Sequence, residues 1–373
     1  MFFIVTLFIQ LLFCSAVEQN DDATIERLQQ QHRAFPNPFS VPNQQLCPAS
    51  ALEIVTELPL PPGNVDIYGE RIFFTFHPAA KHDSQPDLPN VAVTPITGGS
   101  FQAYPSTEDQ NKWISVLGLR VCGDHLWLLD HADLGGNKNQ RPSLFQIDLN
   151  TNQVIYQYEF SKDIAKGMLN DIVCSGGDIY IADAGISAEN YAIIHFDTVT
   201  KTAIRYLENH PSTQPVDLVP IIGGTIPFDM PWKVGVDSIA VCQDNLVFSS
   251  VYATHFWTVP KTELGSAPPA PLGERVSKTV SDGIVCDQEG RIYVTDFEHF
   301  ALSRTDADGS KVQTLVTDES LLRWPDGITL HGNSIFVSSS AIHEVVAGDH
   351  HKKAPFHIVR LDLGLCQMEK VQL

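Results

Sequence analysis

The stretch VSDGIVCDQEGRIYVTDFEHF, from Val280 to Phe300, decides the fold of this chain. A short apolar run leads into a polar turn, Asp-Gln-Glu-Gly, and a second run rich in β-branched and aromatic residues leads out of it. Two such runs on either side of a turn are typical of paired antiparallel strands. The stretch therefore predicts a β-hairpin, and the fold depends on whether that hairpin occurs once or is repeated.

Similar hairpins occur five more times along the chain. One matched position in the second strand of the six hairpins is held, in chain order, by Phe73, Trp127, Tyr180, Val247, Tyr293 and Phe336. The interval between these positions is about 50 residues, which is typical of a β-propeller with one repeat in each blade. The repeat therefore favours a propeller over a single β-sandwich.

Two further strand-like runs follow the hairpins, most clearly in SLFQIDLNTNQVIYQYEF from Ser143. Four strands in each of six repeats predict an all-β fold: a six-bladed β-propeller of four-stranded antiparallel blades around a central channel. We place this single domain at residues 51–373, after an N-terminal extension at residues 17–50. The strand-like run Leu52–Leu58 is expected to join the first and last blades.

The first 16 residues, MFFIVTLFIQLLFCSA, carry no charged side chain and end in small residues. This pattern predicts a signal peptide that is cleaved near Ala16, and the run is too short to span a bilayer. The formal net charge of −20 disfavours binding to phosphate backbones and to anionic lipid surfaces. We therefore expect a secreted, extracellular protein that binds neither nucleic acid nor membranes.

Six of the seven cysteines follow the predicted signal peptide, and an even number in a secreted chain permits disulfides. Cys47 and Cys366 lie near the two ends of the propeller, so a bond between them is predicted. The other four share one repeat position, at the end of the first strand. We expect them to be buried free thiols, the commoner state of such residues, and pairing between neighbouring blades is the alternative. These four are Cys122, Cys174, Cys242 and Cys286.

The hairpin motifs also carry a family resemblance. The segments WISVLGLRVCGDHLWLLDHADLGG, SDGIVCDQEGRIYVTD and WPDGITLHGNSIFVSSS resemble the Yellow/major royal jelly protein family and fall in the same order as in that family. The resemblance extends from about Ile54 to the C-terminus and implies a secreted six-bladed propeller. The family includes proteins similar to dopachrome-converting enzymes, proteins that bind biogenic amines and nutritive proteins, so the resemblance leaves the chemistry open.

A ligand site is expected at one mouth of the channel, where the starts of the first strands meet the loops between the second and third strands. A ring of oxygen donors surrounded by imidazoles suits a small molecule, although any one Asp could instead cap its strand or turn. The strand starts contribute Asp66, Asn170, Asp171, Asp237, Asp282 and Asp326, and the loops contribute His77, His131, Asp183, His255, His299 and His343. We assign ligand binding to Asp171 and Asp326.

Three tryptophans precede first strands: Trp113, Trp232 and Trp324. They are candidate aromatic walls for a flat ring or an amine, and packing between blades is the equal alternative. For proton transfer, His131 and His299 are the candidate catalytic residues, because imidazole titrates near neutral pH. His131 is the first candidate for the base.

A second resemblance concerns a metal. The segment LNDIV is similar to a ligand segment of calcium-dependent lactonases and paraoxonases, which implies that Asn170 binds calcium, joined by Asp237 and Asp282 at matching repeat positions. Ligation by oxygen alone suits calcium. The first blade departs from that pattern, since GNVDIYG offers Val65 and Asp66 where a Glu would be expected.

These observations favour a propeller that binds or converts a small aromatic or amine-like molecule, with tautomerisation of a dopachrome-like indole as the expected reaction if it is an enzyme. A calcium-dependent lactone or ester hydrolase is the first alternative. A binding or storage protein without turnover is the second.

Overall fold

The computed structural model describes residues 45–80, 88–132, 140–185, 189–223, 233–273, 278–345 and 354–367. In these residues 24 strands form six separate four-stranded sheets. The innermost strand of each sheet contacts the innermost strand of the next, and the sixth contacts the first. The predicted six-bladed β-propeller is therefore confirmed. The predicted signal peptide, Trp232 and most of the N-terminal extension lie outside the described residues.

The strands are numbered in chain order, and in blades 1 to 5 the first of the four is innermost. The first strand of the chain, β1 (Leu52–Leu58), belongs to the last blade. Blade 1 contains β2 (Pro62–Tyr68), β3 (Arg71–Phe76), β4 (Val91–Pro95) and β5 (Gln102–Ala103). Blade 2 contains β6 (Val116–Cys122), β7 (His125–Asp130), β8 (Ser143–Asp148) and β9 (Gln153–Glu159). Blade 3 contains β10 (Leu169–Ser175), β11 (Asp178–Asp183), β12 (Ala192–Asp197) and β13 (Thr202–Tyr206).

Blade 4 contains β14 (Val236–Cys242), β15 (Asn245–Ser250), β16 (Phe256–Pro260) and β17 (Ala270–Leu272). Blade 5 contains β18 (Ser281–Cys286), β19 (Ile292–Asp296), β20 (Ala301–Thr305) and β21 (Val312–Thr317). Blade 6 contains β22 (Pro325–His331), β23 (Ser334–Ser339), β24 (Phe356–Asp362) and β1 as its outermost strand. One α-helical turn, Ile342–Val345, and five 3-10 turns complete the described elements: Ala49–Ala51, Pro78–Ala80, Asp109–Lys112, Lys261–Glu263 and Leu363–Leu365.

The ring is closed by chain segments from its two ends. Strand β1 pairs antiparallel with β24, from Leu52 opposite Leu361 to Leu58 opposite Phe356, which confirms the predicted joint. The predicted Cys47–Cys366 disulfide is also confirmed, with 4.0 Å between the α-carbons. Backbone pairing and a covalent bond therefore hold the same blade together.

The four cysteines of the inner hairpins are paired, so the expectation of free thiols was wrong. Cys122 bonds Cys174, which links blades 2 and 3, and Cys242 bonds Cys286, which links blades 4 and 5. Cys122 belongs to the last residue pair of its hairpin and Cys174 to the pair before the last, so the repeat position is not strictly shared. The ends of neighbouring inner strands still bring the cysteines to α-carbon separations of 6.1 and 5.4 Å, which a disulfide can span. No helix in the described part of the chain is long and apolar enough to cross a membrane.

Each inner strand is irregular close to its start. Pairing with the second strand skips residues between Leu169 and Ile172 in β10, between Ser281 and Ile284 in β18, and at the matching place in the other four inner strands. A β-bulge re-aims side chains and interrupts regular pairing. The six bulges lie at the level where the candidate site forms.

Candidate functional site at the narrow end of the channel

The residues at the bulges surround a cavity of about 20 Å³. Its polar side chains, which we call the acidic ring, belong to Asn64, Asn170, Asp171, Asp237, Asp282 and Asp326. Blade 2 contributes the apolar Leu117 at the same level. A cavity of this size holds about one water molecule or one ion. We call this end of the channel the narrow end.

Hydrogen bonds tie the acidic ring together across blades. The Asn64 amide donates to Asp171 Oδ1 over 2.7 Å, and the Asn170 amide donates to Asp237 Oδ1. Asp282 Oδ2 accepts a hydrogen bond of 2.6 Å from the indole nitrogen of Trp324. Asn170, Asp237 and Asp282, the predicted metal ligands, are thus brought to one cavity from three blades.

The carboxyl groups of the acidic ring hold protons more tightly than usual. Loss of solvent raises the pKa of Asp282 to about 6, and the charge of Asp171 adds to this effect. Burial and the charges of neighbouring ring carboxylates also raise the pKa of Asp237 and of Asp326 well above the usual range. Burial also raises the pKa of Asp171, although the positive charge of Arg120 opposes this change. The ring therefore carries more acidic groups than its surroundings neutralise.

A buried lysine lies next to these carboxyl groups. Lys278 is 0% exposed, and its ammonium donates to Ser281 Oγ over 2.9 Å and to the carbonyl oxygen of Thr279 over 3.1 Å. Burial lowers the pKa of Lys278 to about 7, although the charges of Asp296, Asp282 and Asp237 raise it. The position of Lys278 thus combines a poorly solvated amine with three nearby carboxyl groups. Such perturbed groups cluster at functional sites.

One predicted catalytic residue extends this cluster. His299 Nδ1 lies 2.8 Å from Asp296 Oδ2 and 2.9 Å from Asp296 Oδ1. Burial favours the neutral ring, but the hydrogen bond and charge of Asp296 outweigh it and raise the pKa of His299 above 6.5. The buried Asp296 is therefore shared electrostatically by His299 and Lys278.

Aromatic side chains cover this part of the mouth. The Trp324 ring stacks on Phe297 at 4.1 Å with an interplanar angle of 4°, and its other neighbour, His343, stacks at 5.6 Å. Tyr252 meets Phe297 edge to face at 6.2 Å. Trp324 thus lies at the predicted mouth, where its indole nitrogen orients Asp282 and its ring belongs to an apolar layer.

Two other predicted residues are not part of the acidic ring. Trp113 is buried in the core beside Phe145, which is the packing role that was its alternative. His131 is buried in blade 2, and burial, aided by electrostatic repulsion from His131, lowers the pKa of His77 to about 4. Blades 2 and 5 are on opposite sides of the ring, so His131 and His299 are not brought together.

Asp66 is not part of the acidic ring, contrary to the expectation for blade 1. It lines a second cavity of about 310 Å³, which we call the wide cavity, at the other end of the inner strands. Asn64 takes the place expected for Asp66 because the bulge of β2 lies between Pro62 and Val65. Alignment on the turn of each hairpin, instead of on acidic residues, would have matched Gly63-Asn64 to Asn170-Asp171.

Asp183, which was predicted to face the mouth, has a structural role, since it is buried and paired with Arg205.

The donor types of the acidic ring match calcium, since all are carboxylate or amide groups. The arrangement matches less well, because the Asn170 and Asn64 amides donate to neighbouring carboxylates. Within the described residues no three His, Cys, Asp or Glu side chains are grouped so as to hold a metal ion. Calcium binding stays a prediction, and we derive no metal-dependent step from this geometry.

Solved structures with the same architecture include regucalcin, a calcium-binding protein from Agrobacterium tumefaciens. It has a TM-score of 0.55 and 14% identity, and the alignment covers 83% of this chain and 92% of that chain. A luciferin-regenerating enzyme has a TM-score of 0.56 and 10% identity over 86% of this chain and 98% of that chain. At these identities the likeness shows the fold alone.

Among curated protein sequences none matches this chain. The family model described as Major royal jelly protein matches residues 114–370, which is more than half of the sequence and includes blades 2 to 5 and all of blade 6 except β1. The chain therefore belongs to the major royal jelly protein family.

Proposed function

We propose that this protein is an extracellular binding protein for a small organic amine, and that the acidic ring holds the ammonium group. The observation that carries the proposal is the excess of carboxyl groups around the small cavity at the narrow end. Carboxylates that are held close together repel one another, and a bound cation relieves this repulsion. Three disulfides support an extracellular location, since such bonds persist in oxidising compartments.

The size of the cavity selects the part of the ligand that enters it. A volume of about 20 Å³ accommodates an ammonium group, which is close to a water molecule in size, and not an aromatic ring. The organic part of the amine would lie on the solvent side of the acidic ring. Lys278 supports this assignment because its own amine is already placed within electrostatic reach of Asp237 and Asp282.

If the protein turns over its ligand, the same cluster supports proton transfer. Asp282, with a pKa of about 6, and Lys278, with a pKa of about 7, both change protonation state close to neutral pH. General acid–base catalysis needs groups of this kind. Tautomerisation of a dopachrome-like indole, in which one proton is removed and another is delivered, is the reaction that we assign to them. Asp282 replaces His131 as the proposed base because His131 is not part of the acidic ring.

Calcium is the second candidate occupant of the acidic ring. The oxygen-rich donor set and a volume suited to one ion favour it. Calcium and an ammonium group would compete for the same carboxylates, so the response to EDTA is needed beside the variants to distinguish them.

The test is isothermal titration of 2-phenylethylamine at pH 7.5 into the wild-type protein and into the Asp237→Asn variant. Asp163→Asn is the matched control, because it removes one exposed negative charge from the loop before β10. We expect saturable binding that weakens at least tenfold in Asp237→Asn, stays unchanged in Asp163→Asn and is insensitive to EDTA. Equal affinity in all three proteins, or no binding to the wild type, would reject the amine. A calcium-dependent rise in Tm that EDTA removes and Asp237→Asn lacks would support the metal instead.

A further inference from the structure

The wide cavity lies at the opposite end of the channel from the acidic ring. All six inner strands contribute to its walls, and most of the residues in them are apolar. They are formed by Val121, Val173, Cys174, Ile239, Ala240, Val241, Ile284, Val285, Cys286 and Leu330, with Asp66, Arg120 and Thr329 as the polar members. A volume of about 310 Å³ falls at the lower end of the range for small-molecule sites.

The carboxylate of Asp66 is already satisfied by the protein. Its Oδ1 accepts hydrogen bonds from Thr329 Oγ1 over 2.7 Å and from the Ile67 backbone over 2.8 Å. Its Oδ2 accepts one from the Val121 backbone over 2.8 Å. These bonds cross between blades 6, 1 and 2 and fix the carboxylate in place. Asp66 is therefore a structural group of the cavity floor.

The guanidinium of Arg120, unlike the carboxylate of Asp66, uses only part of its hydrogen-bonding capacity within the described residues. Arg120 is only 9% exposed, and its Nε donates to the carbonyl oxygen of Ile172 over 3.1 Å. One terminal nitrogen lies 3.9 Å from Asp66 Oδ2 and the other lies 3.6 Å from Asp171 Oδ1. These are ion-pair distances, longer than hydrogen bonds. Within the described part of the chain neither terminal nitrogen donates a hydrogen bond, so a buried planar donor is available to a ligand.

We propose that the wide cavity is a second binding site, which takes a small, largely apolar molecule whose polar end accepts hydrogen bonds from Arg120. A carboxylate or a neutral carbonyl has the required chemistry, since both present lone pairs to the planar guanidinium. The aliphatic walls remove the rest of the molecule from water. The proposed ligand differs from that of the acidic ring, since a cationic group would be repelled by Arg120, although Arg120 is also ion-paired with Asp171 of that ring.

The test uses two probes, 3-phenylpropanoate and its neutral amide, 3-phenylpropanamide, which separate an anionic from an uncharged acceptor. Isothermal titration should show 1:1 binding of at least one probe to the wild-type protein. In Arg120→Met the affinity should fall at least tenfold, because the aliphatic side chain remains while the donors are lost. Binding of neither probe at millimolar concentration would overturn the proposal.

Arg120→Met removes the partner of two carboxylates, so a second variant is needed in case it fails to fold. Val241→Phe places a phenyl group in the cavity from the partly exposed β14 residue Val241, and we expect it to weaken probe binding at least tenfold. Val199→Phe adds the same group at an 81% exposed turn and should leave binding unchanged. Binding that is equal in Val241→Phe and wild type would contradict the proposed site. Asp237→Asn should not affect these probes, so a failure here is distinguishable from a failure at the acidic ring.

Discussion

The two ends of the channel are built from the same six strands and have opposite chemistry. At the narrow end the bulges turn Asn and Asp side chains toward a cavity of about 20 Å³. At the wide end the regular parts of these strands present valine and leucine side chains, with Arg120 as the available donor. The comparison shows that the repeat supplies a common frame, while the local register of each inner strand decides which side chains reach the channel.

The largest effect is expected at the disulfides, which are located at the wide end. Replacement of Cys242 and Cys286 by serine removes the disulfide between these residues, which are separated by 44 positions in the sequence. The chain-entropy model gives a loss of up to about 4 kcal/mol in the free energy of unfolding, which chemical denaturation would measure. The affinity for 3-phenylpropanoate should fall several-fold, and that for 2-phenylethylamine should not. Equal losses of affinity at both ends would show that the ends are not independent.

The next effect separates stability from binding at the narrow end. Asp237→Asn removes a poorly solvated carboxyl group whose pKa is raised by burial and by Asp282. The ligand-free variant should therefore be more stable than wild type at pH 7.5, by about 1 kcal/mol or about 1–2 °C in Tm for a domain of this size. Differential scanning calorimetry measures this. A lower Tm would mean that the hydrogen bond from Asn170 matters more than charge repulsion.

The pH dependence of stability should also distinguish the two ends. Asp282 has a folded-state pKa raised to about 6, so between about pH 4 and pH 6 the folded protein binds more protons than the unfolded chain. Its contribution to stability is present below pH 4 and is lost as the pH rises through 6. Relative to wild type, Asp282→Asn should therefore gain stability across this window, in a series of Tm measurements. The difference in Tm between Val241→Phe and wild type should stay constant with pH. A constant difference for Asp282→Asn would contradict the raised pKa.

The smallest effect concerns Lys278, whose ammonium lies close to the carboxyl groups that we assign to the ligand. Lys278→Met should strengthen binding of 2-phenylethylamine about threefold, because an internal competing charge is removed. Titration calorimetry at pH 6.5 suits the comparison, since Lys278 and Asp282 are then both mostly charged in the wild type. Weaker binding in the variant would mean that Lys278 positions Asp237 and Asp282 instead of competing with the ligand.

The sequence predicts the fold and part of the narrow end. Asp237 and Asp282 could be placed at one cavity because equivalent repeat positions must converge on the propeller axis. Asn64 is not acidic, so a match of the repeats by their acidic residues selects Asp66 instead, and only a match by the hairpin turns selects Asn64. Lys278 precedes its blade, where a lysine is ordinarily solvated. Arg120 occupies an ordinary strand position, and its burial depends on contacts with neighbouring blades. The pairing of Cys122 with Cys174 likewise depended on a distance between strands that the repeat does not give.

The independence of the two ends is tested most directly by a competition titration. 2-Phenylethylamine is titrated into wild-type protein alone and into protein saturated with 3-phenylpropanoate, at pH 7.5 and constant ionic strength. We expect one equivalent of amine to bind in each case, with the same Kd within a factor of two. Loss of amine binding in the saturated protein would show that both ligands occupy a single site, and would contradict the assignment of the acidic ring and the wide cavity to different ligands.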